Sequence, residues 1–310
     1  MSGTFVIVNP SAARGRTGRR WDELRERLVR DAVLAETNGP GHAELLAFDA
    51  ATEGFTTIVA AGGDGTVHEV ANGVLRAARP EVRFGVLPLG SGNDFAAALG
   101  LPKDWLAACD VALSDRTRRV DVGEVRDERG RSRFFVNTLG LGLSGAVALE
   151  SRGIKKLRGL ALYGLATLRA LAKHFRRLNT TLTIDGISRQ TRTVMLTVAN
   201  GHREGGGFIV APDAKLDDGQ FDILHAGNLS LLRTLCYAPR LTRGDIPRHP
   251  EILTCHCQSV TLEADHPLIV HIDGEFFARP EDAVRRVEIR LLPQSLAVVG
   301  NADCRLSIAE

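Results

Sequence analysis

One segment limits what this chain can fold into more than any other: Ala60-Ala61-Gly62-Gly63-Asp64-Gly65-Thr66-Val67-His68-Glu69-Val70. An apolar run from Thr56 to Ala61 leads straight into glycines, and helical spacing of apolar residues then runs from Val67 to Ala78. The segment is therefore a strand–turn–helix junction, with Thr66 expected to cap the helix. Glycine lets the backbone turn tightly and come close to a ligand. Free N–H groups and the helix dipole at that end favour phosphate. Asp64 sets a carboxylate where bare phosphate would be repelled, which implies a bridging Mg²⁺ or a proton-accepting role. The plainer alternative is an ordinary βα turn with an exposed aspartate. The loop is neither a P-loop, which needs Gly-Lys-Ser/Thr, nor a G-x-G-x-x-G dinucleotide fingerprint.

The flanking sequence repeats the same unit. Phe5 to Val8 reads as a first strand, Trp21 to Val33 as a helix, Thr56 to Ala61 as a second strand, and Phe84 to Leu87 as a third, with another helix after Asn93. Strict alternation of strand and helix means a mainly parallel sheet covered on both faces. Ligands on such sheets sit beyond the carboxyl ends of the strands, where the glycine-rich segments fall. From about Val120 the texture changes to short alternating or β-branched runs, among them Arg133 to Thr138, Thr180 to Ile184, Arg192 to Ala199, Phe221 to His225 and Val287 to Leu291. That is antiparallel β texture of the sandwich kind, interrupted by one long helical stretch between Ser144 and Leu178 and a helix near Leu229 to Tyr237. The 310 residues suit two such domains, expected to pack directly together with the active site in the cleft between them.

Composition excludes several classes. Lys and Arg exceed Asp and Glu by a net charge of +2, and aromatics are 5%, so neither an electrostatic nor a stacking platform for nucleic acid is present. The cysteines, Cys109, Cys236, Cys255, Cys257 and Cys304, are odd in number and irregular in spacing, unlike a secreted disulfide framework. Cys255-His256-Cys257 has no second ligand pair at zinc-site spacing and reads as a strand with two small buried side chains. Met1 to Val8 lacks a basic signal-peptide region, and no apolar run reaches the ~20 residues of a membrane span. A cytoplasmic protein is expected, or one that touches a membrane from the cytosolic side.

A second glycine-rich junction, Leu87-Pro88-Leu89-Gly90-Ser91-Gly92-Asn93-Asp94-Phe95-Ala96, supplies Ser91 and Asn93 as donors and Asp94 as an acid. The Gly-Gly-Asp-Gly-Thr loop resembles the signature shared by diacylglycerol kinases, sphingosine kinases, NAD kinases and phosphofructokinases. The second loop separates them, because it is similar to the proline-glycine-threonine/serine-x-asparagine-aspartate pattern of the diacylglycerol and lipid kinase family. Asn9-Pro10-Ser11 resembles that family's opening loop, and Thr37 a position near the nucleotide. The resemblance implies an N-terminal three-layer α/β domain binding ATP through Asn9, Thr37, Gly62, Gly63, Asp64, Gly65, Thr66, Val67, His68, Gly90, Ser91, Asn93 and Asp94. His68 departs from the family pattern, which more often has asparagine there.

Further matches extend to the second half. Ala211-Pro212-Asp213-Ala214-Lys215-Leu216-Asp217-Asp218-Gly219-Gln220 resembles the stretch that holds a structural Mg²⁺ in bacterial members. It implies Asp218 as side-chain ligand, with backbone carbonyls from Lys215 and Gln220; an acidic turn without metal is the alternative. His271-Ile272-Asp273-Gly274-Glu275 resembles the family's carrier of the general base, Glu275. The implied catalytic residues are Glu275 and Asp64, with Asp121 a further acid at the domain junction. The implied layout is a nucleotide-binding domain over residues 1–120, joined by a returning segment at about 294–310, and an antiparallel β-sandwich-like substrate domain with inserted helices over 121–293.

The expected activity is transfer of the ATP γ-phosphate to the hydroxyl of diacylglycerol or a related lipid, with Mg²⁺. An NAD kinase-like phosphotransferase, or a non-catalytic nucleotide-regulated lipid-binding protein, is the alternative. Arg152, Lys155, Lys156, Arg158, Arg169, Lys173, Arg176 and Arg177 stand among leucines with no acid between Ser151 and Leu178. Such a stretch suits peripheral contact with an anionic membrane, or a solvated helix face. Arg14, Arg16, Arg19 and Arg20 form a second basic cluster. An edge strand in either domain is compatible with a homodimer.

Overall fold

The computed structural model describes residues 3–12, 25–26, 28, 32–154, 157 and 159–300. The chain divides into two compact units, Met1–Asp121 with Gln294–Glu310, and Val122–Pro293.

The first unit is built on β1 (Thr4–Val8), β2 (Ala32–Glu36), β3 (Thr57–Gly62) and β4 (Arg83–Pro88), all parallel in the order β2-β1-β3-β4. The chain's last strand closes this sheet by running parallel to β4 at Ala297 and Val298. β3 is buried along its whole length, as parallel strands covered on both faces are. Its alternate residues Val59 and Ala61 join Val6, Val8 and Leu87 in a core with Ala108, Cys109 and Ala112. Helices α1 (His42–Thr52) and α2 (Asp64–Arg76) pack on each other, and α3 (Asp94–Ala98) and α4 (Trp105–Ala112) follow β4. Gly73 permits the α1–α2 approach, since a Cβ there would fall on the Glu44 carbonyl and the Ala47 methyl.

Two local expectations are corrected. Ala32 and Val33 belong to β2 rather than to the end of a helix, while Trp21 and Leu24 lie outside the described residues. The α2 helix opens at Asp64 with Gly63 as N-cap, so Thr66 sits inside the first turn and does not cap it.

The second unit is formed from β5 (Thr117–Asp127), which the chain enters from the first unit, β6 (Ser132–Phe135), β7 (Thr138–Gly142), β8 (Leu178–Ile184), β9 (Ile187–Thr193), β10 (Met195–Ala199), β11 (Arg203–Glu204), β12 (Phe208–Ile209), β13 (Phe221–Ala226), β14 (Ile252–Cys257), β15 (Ser259–Ala264), β16 (Val270–Ile272), β17 (Glu275–Ala278) and β18 (Arg286–Val299). One sheet runs β14-β13-β10-β7-β16-β17; in the other, β15 pairs antiparallel with both β8 and β18. Their inner faces share one core, in which Leu139, Leu196, Phe221 and Ile272 meet Val260, Leu262, Leu182 and Ile289.

The helical stretch between Ser144 and Leu178 is two helices, α5 (Leu143–Arg152) and α6 (Gly159–His174). Gly153 ends the first, donating its N–H back to Glu150. Cys255 and Cys257 lie on one side of β14, with Cys257 buried and Cys255 half-buried against the sandwich core. Burial pushes the Cys257 thiol up to about 12, so it is inert near neutrality. The α7 helix (Leu231–Tyr237) completes the unit.

Candidate active site

In the first unit the sheet order places β1 and β3 side by side, with β2 beyond β1 and β4 beyond β3. Chain direction across the sheet therefore reverses between β1 and β3, which is where an open α/β sheet leaves a ligand crevice. Asn9 follows β1, Thr37 follows β2, Gly63 follows β3 and Gly90 follows β4, so all four loops emerge at the same carboxyl edge. The switch point is bridged by one side chain. Asn9 Nδ2 donates to Thr66 Oγ1 at 3.0 Å, while Asn9 Oδ1 accepts the Ser11 N–H at 3.0 Å.

The two glycine loops are locked together. Leu89 N–H donates to the Gly62 carbonyl at 2.9 Å, and both Asp64 oxygens accept backbone donors of the second loop, Asp94 N–H at 2.6 Å and Asn93 N–H at 2.8 Å. Gly63 and Gly90 lie back to back, and a Cβ on Gly63 would stand 3.2 Å from the Gly90 Cα. Asn93 takes a left-handed conformation, φ 57°, and its Oδ1 accepts the Gly90 N–H at 2.9 Å, which folds the second loop on itself.

The helical ladder of α2 begins with Val67 N–H donating to Gly63 O, so the N–H groups of Gly65 and Thr66 precede it and have no helical acceptors. A rigid frame of backbone donors at a helix start is what a phosphate chain needs. Ser91 is exposed beside it, whereas Thr66, Val67, His68 and Asp94 are buried. His68 sits against Asn72, whose Nδ2 donates to the His68 carbonyl at 2.9 Å. Asp121 is fully buried and accepts the Gln294 N–H at 2.7 Å, so it fastens the returning strand. Thr37 is held through its N–H on the Val8 carbonyl at 2.8 Å. One contributor was not foreseen: Glu69 accepts the N–H groups of Gly41 and Ala43 at 2.8 and 3.1 Å, tying the start of α1 to α2.

In the second unit Asp273-Gly274 forms the two-residue turn of the β16–β17 hairpin, with φ of 51° and 86°. Positive φ at both positions is the type I′ requirement, which Asp-Gly meets. The Asp273 carboxylate is buried and accepts three backbone donors, Val136 N–H at 3.0 Å, Asn137 N–H at 2.9 Å and Thr138 N–H at 3.1 Å. That anchorage fixes the turn and delivers Glu275 as the first residue of β17, half-exposed. Arg152, the last residue of α5, meets it. Its Nη2 stands 2.6 Å from Glu275 Oε2 and 3.3 Å from the Gly274 carbonyl, and its guanidinium lies 4.6 Å from the centre of the Phe276 ring.

The other end of α5 is also tied to the hairpin. Ser144 Oγ donates to Glu204 Oε1 at 2.8 Å and lies 2.8 Å from His271 Nε2. A serine has one proton, so His271 must be the donor to Ser144, carrying its hydrogen on Nε2. Burial pushes the His271 pKa down, which keeps the ring neutral.

Known proteins share both halves of this arrangement. A family model described as "Diacylglycerol kinase catalytic domain" matches residues 3–125, and one described as "YegS C-terminal NAD kinase beta sandwich-like domain" matches residues 137–300. A Chromohalobacter salexigens protein named "Probable lipid kinase YegS-like" is 32% identical, covering 88% of this chain and 86% of its own. The chain belongs to the diacylglycerol kinase family of lipid kinases. A Staphylococcus haemolyticus "Diacylglycerol kinase" is 28% identical over 87% of this chain and 81% of its own. A Bacillus anthracis crystal structure described as "a putative diacylglycerol kinase" superposes with a TM-score of 0.78 at 25% identity, over 97% of this chain and 98% of that one.

The Mg²⁺ turn expected of this lipid kinase is an exposed loop. Asp218 Oδ1 accepts the Gln220 N–H at 3.1 Å, and Gly219 has φ 74°. Burial pushes the Asp222 carboxyl up, His256 opposes the shift, and Asp218 and Asp213 add to it, so these two carboxylates bring negative charge toward the turn. Oxygen donors in a negative field fit a hard cation, and with one carboxylate from the predicted set, waters must complete its shell. Among the described residues no group of three or more His, Cys, Asp or Glu side chains is placed to hold a metal.

The basic stretch of the lipid kinase is divided by the fold. Arg152 is engaged with Glu275, and Lys173 with Glu150 at 3.2 Å, while Arg169, Arg176 and Arg177 are exposed. Lys155, Lys156 and Arg158, like Arg14, Arg16, Arg19, Arg20 and Cys304, lie outside the described residues. No helix among the described residues is long and apolar enough to cross a membrane.

Proposed function

We propose that the chain transfers the γ-phosphoryl group of ATP to the hydroxyl of diacylglycerol or a related lipid. The observation that carries the reading is the interlocked pair of glycine loops, two helix starts held at one sheet edge by the Asp64 carboxylate. Asn9, Thr37, the Gly62–His68 segment and Gly90, Ser91, Asn93 and Asp94 are assigned to the nucleotide. Backbone N–H groups of the α2 start bind phosphate oxygens, and Ser91 is the exposed hydroxyl beside them. Buried His68 and Val67 contribute through the backbone they hold in place.

Glu275 is assigned the acceptor proton. As the lipid oxygen forms its bond to the γ-phosphorus, the bond from that phosphorus to the bridging oxygen breaks, ADP leaves, and the hydroxyl proton passes to the Glu275 carboxylate. Mg²⁺ supplies charge neutralisation on the phosphates when bound. Lys215, Asp218 and Gln220 are assigned to a structural ion, through one carboxylate and two carbonyls. Contact with the cytosolic face of a membrane is part of this proposal, since the acceptor is a lipid.

Phosphoryl transfer from γ-labelled ATP tests this, with diacylglycerol and NAD offered in parallel. Label in the lipid and none in NAD is the expected result. Label in NAD alone would assign the chain to the NAD kinase alternative, and nucleotide binding without transfer to either would leave a regulatory lipid-binding role. Glu275→Gln is expected to abolish transfer while ATP binding persists.

A further inference from the structure

The α7 helix is turned inside out. Ser230 caps it, and the helix residue it buries is Thr234, a polar one, while Leu231, Leu232 and Leu235 are 43%, 74% and 41% exposed. A helix on a globular surface ordinarily points its leucines inward. Here three large apolar side chains project within five residues, and isolated exposed leucines do not do that.

The ridge's own segment carries charge of one sign, while Glu251 beside it is occupied by the Asn228 N–H at 2.8 Å. From Leu229 to Gly244 the sequence holds Arg233, Arg240 and Arg243 and no Asp or Glu. Asp245, the first acid beyond, is taken by Arg240 through contacts of 2.7 Å to each of its oxygens. Arg233 lies close to the ring of His249, whose Nδ1 accepts the Glu251 N–H at 3.0 Å, and both Arg233 and Arg243 are exposed. On the other flank Arg177, three residues past the end of α6, donates to Asn228 Oδ1 at 3.3 Å, which brings exposed Arg176 and Arg177 to the same place.

We infer that this ridge docks the protein on an anionic lipid bilayer, with the three leucines entering the acyl boundary and the arginines meeting headgroup phosphates. The inference rests on the lipid-kinase reading only in its choice of a bilayer as the occupant. Charge supports that choice over a second copy of the chain. A symmetric self-contact would press each copy's Arg233 and Arg243 toward the other's, like against like, whereas an anionic surface neutralises them. Insertion of leucines and attraction of arginines are additive contributions to interfacial binding. The leucines lie on α7, outside the basic stretch 152–177; of that stretch Arg152 and Lys173 are already paired, and only its end, Arg176 and Arg177, adjoins the ridge.

Sedimentation with vesicles of phosphatidylcholine alone, and of phosphatidylcholine mixed with phosphatidylglycerol, tests the inference. The native protein should bind the mixed vesicles, and far more weakly the neutral ones. Changing Leu231 and Leu232 together to Ser should weaken binding about a hundredfold. Changing Arg233 and Arg243 together to Gln should weaken it about 25-fold and flatten its salt dependence. Turnover of a monomeric short-chain diacylglycerol should be unchanged in both variants, while turnover of vesicle-embedded diacylglycerol falls with binding. The inference is overturned if the Leu variant sediments as the native protein does, or if neutral and mixed vesicles bind equally. It is overturned too if light scattering shows a native dimer that the Leu→Ser changes split. A native protein that binds mixed vesicles yet phosphorylates no lipid would remove the kinase reading and leave the docking surface standing.

Discussion

Asp64 accepts the backbone N–H of Asp94 at 2.6 Å on one carboxylate oxygen and that of Asn93 at 2.8 Å on the other. A single side chain from the first glycine loop thus fixes the start of the helix that follows the second. The acid in the Gly-Gly-Asp-Gly-Thr signature has a mechanical duty whatever it contributes to phosphoryl transfer.

Replacing Asp64 by Asn tests that duty. One oxygen becomes an NH₂, which cannot accept, and a charge-assisted hydrogen bond worth ~2 kcal/mol is lost. Thermal unfolding should report a lower melting temperature for the first unit, with ATP affinity reduced alongside turnover. An acid that served only to hold a metal would leave the melting temperature where it was, or raise it.

The contact between Gly63 and Gly90 gives an ordered pair of outcomes. A Cβ on Gly90 would press on the Gly63 Cα and stand 2.7 Å from Asn93 Oδ1, and neither backbone nor a bonded side chain can swing aside. A Cβ on Gly63 would meet the Gly90 Cα at the milder distance of 3.2 Å. Gly90→Ala should therefore cost about 1–3 kcal/mol in urea unfolding and most of the turnover, and Gly63→Ala clearly less. The reverse order would mean the loops are not in contact as described.

The two loops were visible in the sequence because their chemistry is local: an apolar run, then glycines, then helical spacing. What joins them was not visible, because Asp64 and Asn93 are 29 residues apart and no spacing rule pairs them. The β2 strand was missed for a related reason. Ala32-Val33-Leu34-Ala35 has no alternation to separate a short parallel strand from the end of a helix, and only its pairing with β1 decides. In the second unit, Asp273-Gly274 was recognisable as a hairpin turn, yet the three N–H groups that the Asp273 carboxylate holds come from residues more than a hundred positions away. In the sequence Arg152 is one more charge in a basic run, since nothing near it reveals Glu275.

That last pairing predicts a split between turnover and stability. Arg152 and Glu275 are both about half exposed, so the ion pair adds little to folding, ~0–1 kcal/mol. Its grip on Glu275, on the Gly274 carbonyl and on the Phe276 ring instead limits the carboxylate to one position. Arg152→Gln should lower kcat about tenfold with the KM for ATP unchanged and the melting temperature within a degree or so. Lysine at 152 restores the charge without the planar fork and should recover turnover only in part. Equal activity of the Gln variant would show that Glu275 needs no such support.

Asp218 allows a prediction on metal removal. An ion bound by the native turn and not by the unfolded chain raises stability by mass action. A chelator should then lower the melting temperature of the second unit, and Mg²⁺ should restore it. Asp218→Asn should erase the difference between chelated and Mg²⁺-supplied protein. A chelator effect that survives that substitution would place the ion elsewhere.

His225 makes the second unit acid-sensitive at mild pH. The ring is buried, and Arg189 Nη2 donates to its Nδ1 at 3.3 Å, which requires a lone pair there. Its Nε2–H then donates to Thr193 Oγ1 at 3.0 Å, Thr193 passes its own proton to Thr180 Oγ1 at 2.7 Å, and Thr180 donates to the Thr191 carbonyl. Every bond in this chain is made by the neutral imidazole. Burial, helped by the Arg189 charge, pushes the pKa from 6.5 down to about 4. The unfolded chain therefore binds the proton more readily than the folded one. Stability is fully present above the unfolded value of 6.5 and is lost as the pH falls toward the folded value of about 4. Between pH 7 and pH 5 this one residue should remove about 2 kcal/mol. Burial lowers His202 and His271 as well, so they act in the same direction, while Asp222, raised by burial, is relieved as the pH drops toward its unfolded value and offsets part of the loss. Urea unfolding at the two pH values measures the slope, and His225→Gln, which keeps a donor for Thr193 but cannot protonate, should flatten it. An unchanged slope in that variant would mean that another group carries the acid sensitivity.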